Sequence, residues 1–411
     1  MRRKKLKARF WSKPKTLYKP WRRSFDSIES AISTQKLHHF GKFDDYLENK
    51  HLDWKTKRAA LDASPFVVAL ISYTGSQRLF ICSGTIISSY AADGGFLGTI
   101  LTSASLLRSP TIQDSVADDI KVDVYLLGRS MCEGEILGYD LHYNVAAIRI
   151  KSDVQLKTAV IGNLDKYMER HARFGDMSFH LARHRDTIAN QGLIELRPGM
   201  AVIALGRYYD DRYHIMAAPG KIITGDSELD CKDLFMAHSE ITKNGIGGPL
   251  INYSGCVIGL NFHSLARTPF LPINIALKCL EHLVNFREVP RPWLGLELSD
   301  LKNIELGQLE KLIHISPNLV GVLVRKVELR SPASDAGICT DDVVIQIDGK
   351  HVESSLEFAS VLLDKGKEPV TVMVKRAGFI KPFPISVLLH TQSARTLNRW
   401  PLPEETWGYG R

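Results

Sequence analysis

The sequence predicts a mainly β protein in which two consecutive sets of short strands are followed by a smaller unit of strands and two helices. From residue 63 onward, short runs rich in Val, Ile, Leu and Tyr recur and are broken by Gly, Asp and Ser, a pattern typical of barrels and sandwiches. A later block alternates such runs with two helical patterns. The composition, 44% apolar and 24% charged, excludes collagen-like, low-complexity and wholly disordered chains.

Residues 1–59 are predicted to form a basic tail and linker. The first 25 residues contain 11 Lys and Arg and no acid, and the rest of the chain holds 42 basic against 45 acidic residues. The net charge of +8 therefore belongs to the tail, and nucleic acid is expected to bind, if anywhere, there. A nuclear localisation signal, a nucleic-acid-contacting arm, an organelle targeting segment and a solvated tail all remain open. The compartment (nucleus, plastid or mitochondrion) is left open with them.

Two sets of strands are predicted at about 60–170 and 171–286. Each set consists of short apolar or alternating runs separated by turn residues. In chain order the runs of the first set are PFVVALISY, RLFICSGTIIS, GTILTSASLL, IKVDVYLLG, EGEILGYD and NVAAIRI, and those of the second set are GLIELRPGM, AVIALGRYY, RYHIMAAPGKIITG, DLFMAHSEIT and GPLINYSGCVIGLNF. The second set ends in an amphipathic helix, PINIALKCLEHLVNF, whose apolar residues recur near a period of 3.6.

A Pro-rich joint, VPRPWLG, introduces the third unit at residues 290–390. Its predicted strands are WLGLEL, GVLVRKV, DVVIQIDG and VTVMVKR, and its predicted helices are SPASDAG and SLEFASVLLDK. Residues 391–411 are predicted to be an irregular tail.

One segment near the end of the second set carries a specific motif. Residues 244–252 read NGIGGPLIN and are followed by GCVIG. This resembles the nucleophile turn of the trypsin-like serine proteases of the Do/HtrA family, in which GNSGGPL precedes a V-I-G strand. Further stretches resemble the family in the same order, namely CSGTII at 82–87, ILTSASLL at 100–107, DLHYNVAAI at 140–148 and PGMAVIALG at 198–206. The resemblance implies a chymotrypsin-like double β-barrel over residues 60–286.

The third unit resembles the PDZ domain of the same family. WLGL at 293–296 is similar to its carboxylate-binding loop, and SPASDAGI and DVVIQIDG are similar to two further motifs. The resemblance implies a PDZ-like α+β domain that binds peptides or protein C-termini, partly by adding a peptide strand to its sheet. The residues expected to form this groove are Trp293, Leu294, Gly295, Leu296, Glu297 and Leu298.

All three positions that the resemblance assigns to a catalytic triad are changed. Ile246 stands at the nucleophile position, Ser105 at the general-base position, and Asn144 where an Asp would orient the base. The chemistry needs an attacking oxygen, an imidazole and a carboxylate. The backbone N–H groups of Asn244 and Ile246 correspond to the oxyanion donors. No catalytic residue is therefore expected, and the predicted function is that of a regulatory pseudoprotease that binds peptides or proteins through its PDZ domain.

Two alternatives remain open. An active serine-type endopeptidase would need a displaced nucleophile, for which Ser103, Ser239 and Thr242 lie near the expected cleft, or a displaced base such as His142. Ordinary hydroxyls and a surface imidazole are the better interpretation, because the motifs place no His beside these hydroxyls. The other alternative is a structural subunit, in a homotrimer or with active relatives, because the family commonly forms trimers.

No cofactor, metal or membrane span is predicted. The six Cys are scattered without a CxxC pair, which indicates free thiols rather than a disulfide framework or a zinc site. His180 and His184 have the i, i+4 spacing of some zinc ligands, but Leu181 stands where the zincin motif has Glu. No apolar run approaches the roughly 18–20 residues of a membrane span.

Overall fold

The computed structural model describes most of the chain between residues 51 and 391. The described ranges are 51–92, 94–109, 115–128, 130–164, 192–208, 213–224, 231, 233–264, 267–315, 319–365 and 368–391. The basic part of the predicted tail, the pair His180 and His184, and residues 392–411 lie outside these ranges. Among the helices that the ranges contain, none is both long and apolar enough to cross a membrane.

Six antiparallel strands close into the first barrel. They are β1 (Val67–Thr74), β2 (Gln77–Ala92), β3 (Gly95–Ser103), β4 (Ile120–Tyr125), β5 (Met131–Asp140) and β6 (Val145–Ser152). Their order around the barrel is β1-β2-β3-β6-β5-β4, and fully buried Val, Ile and Leu side chains form the core. Such burial of apolar surface is the main stabilising contribution to a barrel of this kind.

Six further strands close into the second barrel. They are β7 (Ala201–Arg207), β8 (Ile215–Ile223), β9 (Phe235–Ala237), β10 (Pro249–Asn252), β11 (Val257–Asn261) and β12 (Thr268–Pro272). Their order is β10-β11-β12-β9-β8-β7. Two closed six-stranded barrels confirm the double-barrel class that the sequence predicted.

A short helix, α1 (Trp54–Ala63), precedes the first strand. Asp53 caps it, because its carboxylate accepts hydrogen bonds from the Thr56 backbone N–H at 3.0 Å and the Thr56 hydroxyl at 2.6 Å. Ala59 is buried, and the helix contacts β7 and β8. Residues 54–59, which were predicted to be part of the tail and linker, thus begin a helix whose small side chains let it pack closely on the second barrel.

The predicted amphipathic helix is α2 (Ile273–Phe286). Its buried residues include Ile275, Cys279 and Leu283, and it contacts β5, β6 and β11. The helix therefore packs against both barrels. It ends at Arg287, whose backbone is left-handed (φ 60°) and whose N–H donates to the Leu283 carbonyl oxygen.

The described part of the C-terminal unit contains eight strands and three α-helices. The strands are β13 (Pro292–Trp293), β14 (Leu296–Asp300), β15 (Val322–Val327), β16 (Val343–Ile347), β17 (Lys350–His351), β18 (Val370–Lys375), β19 (Phe383–Val387) and β20 (His390–Thr391), and the helices are α3 (Leu306–Ile315), α4 (Pro332–Asp335) and α5 (Ser355–Leu363). The main sheet has the order β14-β15-β16-β18-β19, with β17 beside β16, and β13 pairs with β20. The strand β14 is therefore an edge strand.

The helix α3 was not predicted from the sequence. Its residues Leu309 and Leu312 pack against a small core that includes Leu323 of β15 and Val343 of β16. Because the helix is short and only part of one face is apolar, its pattern is weak in the sequence, and packing on the sheet stabilises it.

Two ion pairs with buried partners, besides the exposed pair Lys302–Glu195, connect the barrels to the C-terminal unit in the described ranges. Lys278 of α2, which is 6% exposed, pairs with Asp364 at the end of α5 with Nζ and Oδ1 2.5 Å apart. Arg291, in the joint, pairs with Asp140 at the end of β5, which is 1% exposed. Buried ion pairs are strongly sensitive to loss of one partner, so both contacts fix α5 and the joint against the barrels.

Candidate functional site

Two of the three residues that the sequence motifs assign to triad positions lie together in the first barrel. Ser105 lies in a 3₁₀ turn after β3, and Asn144 ends the turn between β5 and β6. The Asn144 Nδ2 donates to the Ser105 Oγ at 3.0 Å, and the Asn144 Oδ1 lies 3.2 Å from the same oxygen. Ser105 is 6% exposed and Asn144 is 0% exposed. The two side chains thus form a buried, neutral hydroxyl–amide pair.

The β5–β6 turn holds Asn144 in a left-handed backbone conformation. Its φ is 53°, a region in which Asn and Asp are enriched. The Asp140 carboxylate shapes the turn by accepting from the N–H groups of His142 at 2.9 Å and Tyr143 at 2.8 Å. The Asn144 carbonyl oxygen in turn accepts from the Ala104 N–H at 3.1 Å. The left-handed position that this turn creates suits either an Asn or an Asp side chain.

Ile246 lies in the turn between β9 and β10. Its side chain is half-buried and packs against the apolar core of the barrels. Gly247 follows with φ 77°, and a Cβ there would lie 2.5 Å from the Ser83 carbonyl oxygen, so only glycine fits. The turn keeps the close backbone approach of the Gly-Gly motif, while its apex carries an aliphatic side chain with no nucleophilic atom.

The backbone N–H of Ile246 is hydrogen-bonded inside the turn. It donates to the Lys243 carbonyl oxygen at 3.1 Å and so closes a 3₁₀ turn over Lys243–Gly245. The Gly248 N–H likewise donates to the Gly245 carbonyl oxygen at 3.1 Å. An oxyanion hole needs N–H groups aimed at the reacting oxygen. In this conformation the Ile246 donor is directed at the chain itself.

Ser83 holds this turn from the first barrel, a role that the sequence motifs did not reveal. Its Oγ donates to the Asn244 carbonyl oxygen at 2.6 Å and accepts from the Arg207 N–H at 2.8 Å. Its own N–H donates to the Ile246 carbonyl oxygen at 2.8 Å. The motif CSGTII contains this serine, but the pattern carries no information about the distant turn that it contacts.

Two basic side chains lie close to the same turn. Burial lowers the pKa of Lys243. Burial, together with the positive charge of Lys243, lowers the pKa of His263 to about 4. His263 is therefore neutral near pH 7, and its imidazole is held in that state by desolvation and by a neighbouring cation rather than by a carboxylate.

The candidate displaced nucleophiles are buried. Ser103, Ser239 and Thr242 are at most 3% exposed. The Ser103 Oγ accepts from the Ser105 N–H at 3.1 Å, and the Thr242 Oγ1 donates to the Met216 Sδ at 3.5 Å. In the described ranges none of the three hydroxyls bonds to a histidine, so none has the activated geometry that nucleophilic catalysis requires. Those ranges also contain no group of three His, Cys, Asp or Glu that could hold a metal ion.

A second candidate site lies between the C-terminal unit and the barrels. A cavity of about 270 Å³ is lined by the loop before β14, by β14 and by α5. Because β14 is an edge strand, its outer N–H and C=O groups are available to an added peptide strand. All the residues predicted for the groove line this cavity, namely Trp293, Leu294, Gly295, Leu296, Glu297 and Leu298.

The loop before β14 directs backbone N–H groups toward the side on which the cavity lies. The Leu294 carbonyl accepts from the Ala333 N–H at 3.0 Å, and the Gly295 carbonyl accepts from the Glu328 N–H at 2.9 Å. In a trans peptide the next N–H points opposite to the carbonyl. The N–H groups of Gly295 and Leu296 therefore point away from these partners. Paired N–H groups of this kind form a concavity that suits a carboxylate.

The opposite wall of the cavity comes from the barrels. It consists of His142 and Tyr143 in the β5–β6 turn and of Asp233 and Phe235 at the start of β9. Burial raises the pKa of Asp233, and this effect is partly offset by the positive charge of His142 and by a hydrogen bond from the Tyr143 hydroxyl. The groove therefore faces a half-buried carboxylate that belongs to the second barrel, a neighbour that no sequence motif indicated.

Comparison with known proteins agrees with the motifs and with the fold. A family model described as PDZ domain matches residues 292–387. The Do-like 14 protease homologue of Arabidopsis thaliana is 31% identical over 336 residues, which cover 78% of this chain and 68% of that protein. The chain belongs to the Do-like (HtrA) serine protease family. The Do-like HtrB of Bacillus subtilis is 27% identical over 263 residues, 60% of this chain and 54% of that protein.

A solved structure of the Do-like fold is also similar to this chain. The HtrA-type protease AlgW with tripeptide superposes with a TM-score of 0.50 at 18% identity, covering 82% of this chain and 97% of that one. At this identity the likeness concerns the fold alone. The Arabidopsis relative confirms the Do-like family, and this structure agrees with the fold class, a double β-barrel followed by a PDZ domain, that the motifs predicted.

Proposed function

We propose that this Do-like chain is proteolytically inactive and binds the C-termini of peptides or proteins in its PDZ groove. The observation that carries the proposal is the neutral Ser105–Asn144 pair beside a turn whose apex is Ile246. The three side chains occupy the places where the family resemblance puts base, orienting acid and nucleophile, and none of them can perform that step.

The expected loss of catalysis is large. Removal of the nucleophile alone lowers kcat of a serine protease by about 10⁶, or about 8 kcal/mol of barrier. Oxyanion stabilisation alone supplies a residual acceleration of about 10³–10⁴ over water. The residual acceleration is expected to be even smaller here, because the Ile246 N–H, one of the two expected oxyanion donors, already bonds to the Lys243 carbonyl oxygen.

The binding half of the proposal rests on the geometry of the PDZ groove. The Gly295 and Leu296 N–H groups supply donors for a terminal carboxylate, and the edge of β14 supplies backbone partners for the residues before it. Leu294, Leu296 and Phe358 supply an apolar surface for the terminal side chain. Assembly into a trimer, or with active relatives, stays a prediction.

Two measurements test the two halves separately. Purified protein is expected not to hydrolyse casein and not to be labelled by a fluorophosphonate probe; hydrolysis that a serine-directed inhibitor abolishes would contradict inactivity. Binding is measured by fluorescence anisotropy with one labelled peptide in two forms, a free C-terminal carboxylate and a C-terminal amide. The free acid is expected to bind at least about tenfold more tightly, since the amide cannot accept paired N–H hydrogen bonds as an anion does. Equal affinities would contradict a carboxylate-binding groove.

A further inference from the structure

The PDZ groove of this chain has a second wall, which is contributed by the barrels. We propose that this wall makes the groove selective for peptides that carry Lys or Arg beside an apolar C-terminal residue, and that Asp233 is the residue that recognises the cation. The inference rests on the proposed function, because it names the ligand class of the same groove.

The size of the cavity limits its ligand to a peptide end. About 270 Å³ lies at the lower limit of ordinary ligand pockets, which hold about 300–1,000 Å³. Leu296, Phe358 and Leu362 provide an apolar floor on the PDZ side, so the terminal side chain is expected to be apolar. The other residues that line the cavity must then accommodate the penultimate residue of the peptide.

The geometry of an added strand directs that preceding side chain away from the floor. Successive side chains of a strand point to opposite faces. If the terminal side chain packs against α5, the penultimate one points to the other side of the added strand. The remaining lining residues in the described ranges come largely from the barrel wall, with Asp233 and His142 as its polar members.

The charges that line the cavity favour a cation at this place. Arg291 contributes little positive charge, because its guanidinium pairs with the buried Asp140 carboxylate. Glu297 of β14 lies directly across from Lys326 of β15, so the cross-strand lysine offsets its charge. Asp233 is then the carboxylate that determines the local potential.

The surroundings of Asp233 leave room for a stronger partner. Asp233 is half-buried as a residue, and desolvation of its carboxyl raises the pKa by more than His142 and the Tyr143 hydroxyl lower it. A ligand ammonium or guanidinium would supply a charge-assisted hydrogen bond to this carboxylate, which is shorter and about twice as strong as a neutral one. A Glu side chain in the ligand would instead meet a like charge in the same partly dehydrated space.

The test compares peptides that differ at one position. Full-chain protein is titrated, by fluorescence anisotropy at pH 7, with peptides that end in one apolar residue and carry Lys, Gln or Glu before it. We expect the Lys peptide to bind about tenfold more tightly than the Gln peptide, and the Glu peptide to bind more weakly than both. Asp233→Asn is expected to reduce the preference for Lys over Gln to less than about twofold while leaving the affinity for the Gln peptide unchanged.

The controls separate this inference from peptide binding itself. Glu310→Gln removes an exposed acid on α3 that does not line the cavity and is expected to leave the preference unchanged. Equal binding of the three peptides, or a preference that persists in Asp233→Asn, would overturn the role of Asp233 and leave the proposed function standing. Failure of every free-acid peptide to bind would overturn both proposals.

Discussion

The buried pair Ser105–Asn144 consists of two neutral groups that satisfy each other's hydrogen bonds at 3.0–3.2 Å. The family resemblance assigns these two positions to a base and its orienting acid, and neither side chain carries a charge. The sequence predicted which residues meet here, because two motifs fix their positions. It could not predict that the Ile246 N–H bonds to the Lys243 carbonyl oxygen, since that depends on the backbone angles of one turn.

At His263 the structure predicts a pH-dependent loss of stability. The pKa of this imidazole is about 4 in the folded protein against 6.5 as its ordinary value, so the unfolded chain binds more protons between these values. The stability that the neutral imidazole allows is fully present well above pH 6.5 and is lost as the pH falls toward 4. The free energy of unfolding is lower by about 2 kcal/mol at pH 5. Urea unfolding of the barrels at pH 7 and pH 5 measures this loss.

The variant that tests this is His263→Gln. Between pH 7 and pH 5 its free energy of unfolding is expected to fall by about 2 kcal/mol less than that of the parent protein. His238→Gln changes an exposed histidine and serves as the control. Its stability is expected to depend on pH as that of the parent protein does. Identical slopes for the parent and His263→Gln would show that His263 is not the group responsible.

Removal of the Ser83 hydroxyl is expected to destabilise the barrels. Ser83→Ala would leave the Asn244 carbonyl oxygen and the Arg207 N–H without the partner that each now has at 2.6 and 2.8 Å. Buried groups left in this way cost about 1–3 kcal/mol. The measurement is the urea midpoint of the barrel transition. Ser254→Ala, at an exposed turn position, should change stability by less than about 0.5 kcal/mol, and an equally small effect at Ser83 would contradict its role.

At the scale of elements, most strands and α2 could be predicted because each carries its own periodicity, but the predicted run GLIELRPGM forms no strand, and β12 and β19 were missed. The helices α1 and α3 could not be predicted from their own sequence patterns. The first, α1, is rich in alanine and lysine and resembles a solvated linker until β7 and β8 cover its small side chains. In α3, Leu309 and Leu312 acquire a partner only when Leu323 and Val343, more than ten residues away, form their strands. Tertiary packing therefore stabilises both helices.

The N-cap of α5 gives a prediction at this scale. The Ser354 Oγ accepts from the Glu357 N–H at 3.1 Å, while the Glu357 carboxylate accepts from the Glu353 N–H at 2.8 Å. Ser354→Ala is expected to cost about 1 kcal/mol of local stability, which speeds amide exchange in α5 about fivefold. Hydrogen exchange followed by mass spectrometry checks this. Ser354→Asp keeps a capping oxygen and should restore protection, and unchanged exchange in the alanine variant would contradict the cap.

At the scale of the whole molecule, the PDZ groove is built jointly by two parts of the chain. The pair Lys278–Asp364 spans 86 positions of sequence, and the pair Asp140–Arg291 spans 151. Motifs within each part predicted their separate folds, but they carry no information on how α5 meets α2. The wall that Asp233 and His142 form could therefore be recognised only in three dimensions.

The closed turn at Ile246 makes a prediction about restoring activity to the whole protein. The triple variant Ser105→His, Asn144→Asp, Ile246→Ser returns the side chains of a triad. It does not return the family order Gly-Asn before the nucleophile, which is Asn244-Gly245 here. With the position-246 N–H still bonded to the Lys243 carbonyl oxygen, an oxyanion donor is missing, and the loss of one such donor lowers kcat by about 10²–10³.

Adding Asn244→Gly and Gly245→Asn is therefore expected to raise peptidase activity about 10²-fold over the triple variant, as measured by casein hydrolysis and by the rate of fluorophosphonate labelling. The pair of turn substitutions in the parent background is the control and should hydrolyse nothing. Equal activity of the triple and quintuple variants would show that the turn opens by itself once a nucleophile is present.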